Sequence, residues 1–539
     1  MSNWTPRVLV IGWDGADWRL LKPLMAQGHL PQLARLLTRA AHGDLMSTIP
    51  PITAAAWTSF ITGRWPANHG VLSWQFPLNA SLERPWINAS ALPSQTLWSL
   101  LSSAGQRLGV LNVPLTYPPP RLNGELIAGM LTPSAASEFT YPAELRQTLL
   151  ERIPNYALDV ELQHTERDTH SLVGIQRFLG EVALALEYRN RALDFLWERG
   201  PFDFFMTVYE MPDRLQHLLY QFVTGETSDA RADWQAVRQA VIDLYTRCDA
   251  ALGVVLDRVG EQTTVILLSD HGFSPLRSVW HLNDWLAQAG WLVWTGGASQ
   301  RRRALRQLIA PFRSWLPQGW LRRGRTAFAP TKLIDWTRTT AYAGIPTEDG
   351  IWMNIYGREP FGRVSPGAAY EQIRDEIIAA AEAFVDPATG RHPVQQACRR
   401  EEVHHGPFSA RAPDIILVLD EGYKVTPGRA DAGLIDDVAD DGIGIHRREG
   451  IVALAGPSVT PGRLEGAALP DLLPTILEAA GVCVPGGIDG RSLLNSLMRT
   501  QASGERHTLP SAAEQEMVDY TPEEAALIEA RLASLGYLE

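Results

Sequence analysis

Cysteine is scarce in this chain: 539 residues hold three, Cys248, Cys398 and Cys483, and no two of them form a Cys-x-x-Cys pair. An odd, sparse set argues against a disulfide framework and fits reduced thiols. No apolar run approaches the roughly 20 residues that a membrane-spanning helix needs. The N-terminal stretch Arg7 to Asp14 is too short for a signal peptide and ends in a charge. The expected location is therefore cytoplasmic, and the sequons at Asn3, Asn79 and Asn88 read as chance matches. Basic charge is also in deficit, with 48 Lys and Arg against 60 Asp and Glu, a net charge of −12. That balance excludes nucleic-acid binding by bulk charge, because a phosphate backbone needs a basic surface.

Apolar residues make up 45% of the chain and charged residues 20%, an ordinary globular usage that can fill a large core. Val8-Leu-Val-Ile-Gly12 is a continuous apolar run of the kind a buried parallel strand shows. Asp203 to Tyr209 and Thr264 to Ser269 repeat that pattern, with helical spacing in Trp18 to Ala40, Ser94 to Gly105, 142 to 199 and Asp229 to Val259. Strands alternating with helices predict an α/β fold, a doubly wound and mostly parallel sheet with helices on both faces. Residues 1–274 read as the first part of this core. Residues 275–410 read as a less regular cap or insertion, partly core. The core is expected to resume over 411–500 with Ala412 to Leu419 and Gly450 to Gly456 as strands. Residues 501–539 read as a linker and an amphipathic C-terminal helix with a Thr cap and a Pro near its start. Arg301 to Arg325, basic and carrying Trp315 and Trp320, reads as a solvated helical face rather than a membrane-facing lid.

The stretch from Ser47 to Gly70 has its own logic. Two prolines precede Thr53, and an Ala-rich apolar helix follows and stops at Gly63. Thr53 is expected at the N-cap, beside unpaired N–H groups and the positive end of the helix dipole, where a phosphate can be held. By itself such a Thr is a helix cap and nothing more.

Four other places put metal-ligand side chains in loops, most of them just past a strand: Asp14, Asp213 with His217, Asp270 with His271, and His446. In an open α/β sheet the C-terminal ends of the parallel strands share one edge, so residues far apart in sequence can meet there. Asp213 and His217, four apart, share one face of a helix beginning at Pro212. Each element alone is an ordinary cap or surface group. Together they supply carboxylates and imidazoles for two zinc-like ions, with the Thr53 hydroxyl as a further oxygen. Two ions about 4 Å apart stabilise both the entering and the leaving oxygen of a phosphoryl displacement. His69, His281, His404 and His405 read as turn, packed or surface residues.

The motifs Gly12-Trp-Asp14-Gly15, Pro51-Ile-Thr53, Trp57 to Gly70, Asp213-Arg-Leu-Gln-His217, Ser269-Asp-His-Gly272 and Gly444-Ile-His446 resemble the alkaline phosphatase superfamily, within it the type I phosphodiesterase/nucleotide pyrophosphatase branch. Asp471 to Thr475 and Asp489-Gly490 resemble that family's closing helix and turn. The resemblance spans about 7 to 495 and leaves 275–410 largely uncovered. It implies that Thr53 is the nucleophile of a two-step reaction through a covalent phospho-threonine. It implies one ion on Asp14, Asp270, His271 and Thr53, and a second on Asp213, His217 and His446, both divalent, zinc first and manganese as the alternative. The chain departs from close relatives among the nucleotide pyrophosphatases at Ala56, where they carry an Asn that binds a phosphoryl oxygen. That donor is expected instead from backbone N–H groups at Thr53 or Ala54. The expected activity is metal-dependent hydrolysis of small phosphate esters, diesters before monoesters. The rivals are a phosphomonoesterase or phosphonate hydrolase on the same site, and a non-catalytic protein binding anions or a lipid surface.

Overall fold

The computed structural model describes residues 4–160, 171–225, 232–295, 333–430, 433–494, 518–535 and 537. Its centre is a sheet of ten strands among the described residues. Five of these run side by side in parallel: Thr264–Leu268, Val8–Trp13, Phe204–Tyr209, Leu108–Leu111 and Gly124–Ile127. Glu449–Ala455 continues the sheet antiparallel to Thr264–Leu268 and pairs in turn with Ala41–Met46. Every residue of Val8–Trp13, Phe204–Tyr209 and Thr264–Leu268 is buried, so both faces of these strands are covered. That is why they read as unbroken apolar runs rather than alternating ones. Helices Leu172–Trp197 and Met211–Thr224 pack against the sheet, and Ala232–Leu256 packs on both of them.

A second apolar cluster gathers residues from Trp280 to Val425. It is built on a four-stranded antiparallel sheet, in the order Ala341–Tyr342, Gly350–Met353, Ile415–Leu419, Val394–Arg399. Ile415–Leu419, expected in the main sheet, therefore belongs to the smaller one: an apolar run declares burial but not which sheet buries it. The main sheet is rejoined only at Glu449. Between the two, Gly444–Arg447 pairs antiparallel with Gly272–Pro275, which carries His446 back to the end of strand Thr264–Leu268. The basic segment 301–325 and residues 503–517 of the expected linker lie outside the described residues. No helix among the described residues is long and apolar enough to cross a membrane.

Candidate active site

The register of three parallel strands brings the site together. Gly12 lies opposite Val208 on one side and Leu268 on the other. The residues just past these positions, Asp14, Asp213 at the head of helix Met211–Thr224, and Asp270 with His271, thus emerge along one edge. Gly12 is required there, since a Cβ would stand 2.6 Å from the Trp57 ring and 2.9 Å from Val208. The bare backbone lets Trp57 lie against the strand and donate its indole N–H to Asp14 Oδ2 at 3.1 Å.

Thr53 opens helix Thr53–Thr62, but the N-cap is Ile52, with extended φ and ψ of −102° and 129° and no side-chain cap bond. Thr53 is the first helical residue rather than the cap. Its hydroxyl, instead of folding back on the helix, lies 3.2 Å from His271 Nε2. The first bond of the turn runs from Ala56 N–H to Ile52 C=O. The N–H groups of Thr53, Ala54 and Ala55 precede it and so have no acceptor within the helix. Ala56, at the position of the expected Asn, is an ordinary buried helix residue.

The six Asp and His residues gather as two adjoining sets, the first of which meets Thr53 through His271. In the first, His271 Nε2 lies 3.6 Å from Asp14 Oδ1, 3.3 Å from Asp270 Oδ2 and 3.2 Å from Thr53 Oγ1. In the second, Asp213 Oδ1 lies 3.4 Å from His217 Nε2 and 3.2 Å from His446 Nε2, and the two imidazole nitrogens are 2.9 Å apart. His271 Nε2 is also 3.9 Å from Asp213 Oδ1, so the sets adjoin.

The donor atoms suit divalent cations. Asp14 Oδ1, Asp213 Oδ1 and Asp270 Oδ2 are buried and accept no hydrogen bond. A carbonyl can only accept, so the contacts of His446 Nδ1 with Pro51 C=O at 2.8 Å and of His271 Nδ1 with Gly272 C=O at 3.3 Å place the proton on Nδ1. That leaves each Nε2 lone pair aimed into the cluster. Four-coordinate zinc with bonds of about 2.0–2.1 Å sets its ligand atoms about 3.3 Å apart, close to most of these spacings.

Electrostatics agree. Burial pushes Asp14 well above the usual carboxylate range, and Asp270 and Asp213 push it further. Burial carries Asp270 up to about 7, with Asp213 adding to the rise against the pull of His446. Burial would raise Asp213 as well, but His217, His446 and Arg214 hold it well below its ordinary value. Burial lowers His217 to about 4 and His271 well below its usual value. Asp14 and Asp270 resist ionisation beside His217 and His271, which resist taking up a proton, and this leaves a site short of positive charge, which bound cations supply.

The other histidines have other partners. His69 is buried, meeting Ser59 Oγ at 3.0 Å and accepting from Val71 N–H at 3.2 Å. His281 pairs with Asp436 at 2.8 Å, and His404, expected at the surface, is 5% exposed. Sequence reasoning missed the groups behind the donors: Trp57, Tyr537, and Arg214, which bonds Asp213 and is held by Asp159 at 2.7 and 3.1 Å. Only Arg214, adjacent to Asp213, carried a local hint. Beside the cluster opens a cavity of about 380 Å³ with largely apolar walls, His217, His446 and Tyr537 at one end and Asp349, Lys424 and Asp441 among its polar residues.

No curated protein matches the chain. Among solved structures, phosphonoacetate hydrolase from Sinorhizobium meliloti 1021, in complex with phosphonoformate, superposes with a TM-score of 0.54 at 17% identity, over 88% of this chain and 96% of that one. Human ectonucleotide pyrophosphatase / phosphodiesterase 5 gives a TM-score of 0.48 at 13% identity, over 92% of this chain and 100% of the other. At these identities the first likeness speaks for the fold alone. The sequence profile of the type I phosphodiesterase / nucleotide pyrophosphatase family matches residues 8–446, a span that begins with the first strand and ends on His446. The chain belongs to that family, within the alkaline phosphatase superfamily.

Proposed function

We propose that this phosphoester hydrolase is a metal-dependent phosphodiesterase that works through a covalent phospho-threonine at Thr53. One observation carries the reading: three buried carboxylate oxygens without hydrogen-bond donors and three imidazole Nε2 atoms gather in one cluster, and a threonine hydroxyl meets that cluster at His271 Nε2, 3.2 Å away. Asp14, Asp270, His271 and Thr53 would hold one divalent ion, and Asp213, His217 and His446 the other. The mixture of imidazole and carboxylate without thiolate favours zinc, with manganese as the alternative. Bound there, the ions supply Lewis acidity that lowers the pKa of the Thr53 hydroxyl and of water and offsets charge on the phosphoryl group.

The chain's own groups do the rest. Thr53 Oγ gives up its proton and attacks phosphorus, the Oγ–P bond forms as the P–O bond to the departing alcohol breaks, and the alcohol oxygen takes up the proton that Thr53 released. Water then attacks the same phosphorus, and the Oγ–P bond breaks to return the hydroxyl. A non-bridging oxygen is received by the N–H groups of Thr53 and Ala54 at the positive end of the helix. The apolar cavity accommodates the second ester group of a diester, which a monoester lacks. Its walls draw on Leu276, Val279, His281, Pro346, Thr347 and Asp349, so the segment 275–410 acts as the cap that selects the substrate. A non-catalytic protein on this fold would be expected to have lost a ligand, and all six are present. Cytoplasmic residence completes the reading, with three free cysteines, two of them buried.

Hydrolysis of bis-p-nitrophenyl phosphate and of p-nitrophenyl phosphate, before and after chelation, tests the proposal. Diesterase activity that exceeds monoesterase activity and vanishes with the metal is expected. A chelator-resistant activity, or a preference for the monoester, contradicts it.

A further inference from the structure

Residues 518–535 and Tyr537 are distant from the cluster in sequence and pressed against it in space. Helix Pro522–Ser534 starts with a capping box between Thr521 and Glu524. Ile528, Leu532 and Leu535 are buried together with Trp74 and with Ile52 and Ala54, the two residues that flank Thr53. Polar bonds seat the segment: Tyr520 O–H donates to Leu131 C=O at 2.9 Å, and Arg531 donates to Thr132 C=O and Pro133 C=O at 2.6 and 3.1 Å.

Past the helix end, Tyr537 is 3% exposed and meets the second ligand set directly. Its hydroxyl donates to Asp213 Oδ2 at 2.8 Å and accepts from Arg214 Nη1 at 3.0 Å. Arg214 Nη1 also donates to Asp213 Oδ2. One carboxylate oxygen is thereby committed to Tyr537 and Arg214, and the other is left facing His217 and His446. The Tyr537 ring lies 4.8 Å from that of His217 at an interplanar angle of 67°, and Phe273 meets the same imidazole at 4.9 Å and 83°.

We infer that Tyr537 is a positioning residue of the metal centre. Its hydroxyl fixes which oxygen of Asp213 faces the ion, its ring fixes the plane of His217, and the C-terminal segment is a working part of the site. This rests on the reading of Asp213 and His217 as ligands. Outer partners that orient metal ligands in this way are worth about ten- to a hundredfold in metal affinity.

Zinc affinity of the full chain, measured by competition with a chromophoric chelator, separates the possibilities. Wild type is expected to bind two ions, and Tyr537→Phe to bind two with one of them about tenfold weaker. Tyr520→Phe, which removes a tyrosine hydroxyl bond from the same segment without touching the cluster, is expected to match wild type. In an Asp213→Asn background, Tyr537→Phe is expected to add no further loss. Wild-type affinity in Tyr537→Phe overturns the inference. So does an equal loss in Tyr520→Phe, which would mark general docking of the segment, and so does an undiminished effect in the Asp213→Asn background. Failure of wild type to bind zinc removes the ligand reading itself, and the inference with it, before any Tyr537 variant is compared.

Discussion

Thr53 and His69 stand sixteen residues apart on either side of one helix and are buried for different reasons. Thr53 keeps its hydroxyl beside His271 Nε2 and the charged cluster. Replacing it with Ala removes the attacking oxygen and little else, so turnover is expected to fall by at least about a thousandfold while most of the bound metal remains. Steady-state kinetics with elemental analysis of the same sample checks both halves. His69 is buried, and burial, with the Arg64 cation adding to it, lowers it to about 3 from an ordinary 6.5. It therefore stays neutral in the folded chain over a range where the unfolded chain takes up a proton. Its contribution to stability is complete above pH 6.5 and is lost as pH falls towards 3, on the order of a few kcal/mol in all. Denaturant unfolding of wild type and His69→Gln across this range should show the variant less stable at pH 7 and with a shallower acid slope. Equal slopes would remove His69 as a source of acid lability.

Strand ends and the helix that follows each one set the geometry, and small residues at the strand ends are part of it. Gly12→Ala would drive a Cβ to 2.6 Å from Trp57, so Trp57 must leave Asp14 or the strand must move. A loss of about 1–3 kcal/mol by urea unfolding, with reduced diesterase activity, is expected; an unchanged midpoint and rate would mean that Trp57 does not orient Asp14. Asp14, Asp270 and His271 directly follow apolar runs, and Asp213 opens a helix marked by Pro212, so their positions could be read along the chain. Their convergence depends on register, which the alternation of elements implies only coarsely. The cap was misplaced by one residue because local preference favours Thr over Ile, whereas the Thr53 hydroxyl faces His271. Tyr537 meets Asp213 from 324 residues away, and Ile415–Leu419 joins the smaller sheet; neither contact leaves a local pattern.

At the scale of the whole molecule the ligand cluster sits on the edge of the largest apolar core among the described residues, and the cavity beside it is lined in part by Leu276, Val279, Pro346 and Thr347 from the segment 275–410. This arrangement buries two carboxylates, Asp14 and Asp270, that favour the protonated form without a cation. Asp270, raised to about 7, favours the metal-free fold below the unfolded value near 3.8, and that contribution is lost as pH rises towards 7. The rise in melting temperature produced by zinc should therefore grow between pH 5 and pH 7.5, and a shift of constant size would show that no buried carboxyl gives up a proton on binding. The same assembly makes Thr53 the group that meets phosphorus first, and stereochemistry at phosphorus tests that claim most directly. A chiral aryl phosphorothioate diester hydrolysed in ¹⁸O-labelled water should give a product of retained configuration, because two in-line displacements each invert the centre. Inversion would mean that water attacks in a single step, and would contradict a phospho-threonine at Thr53.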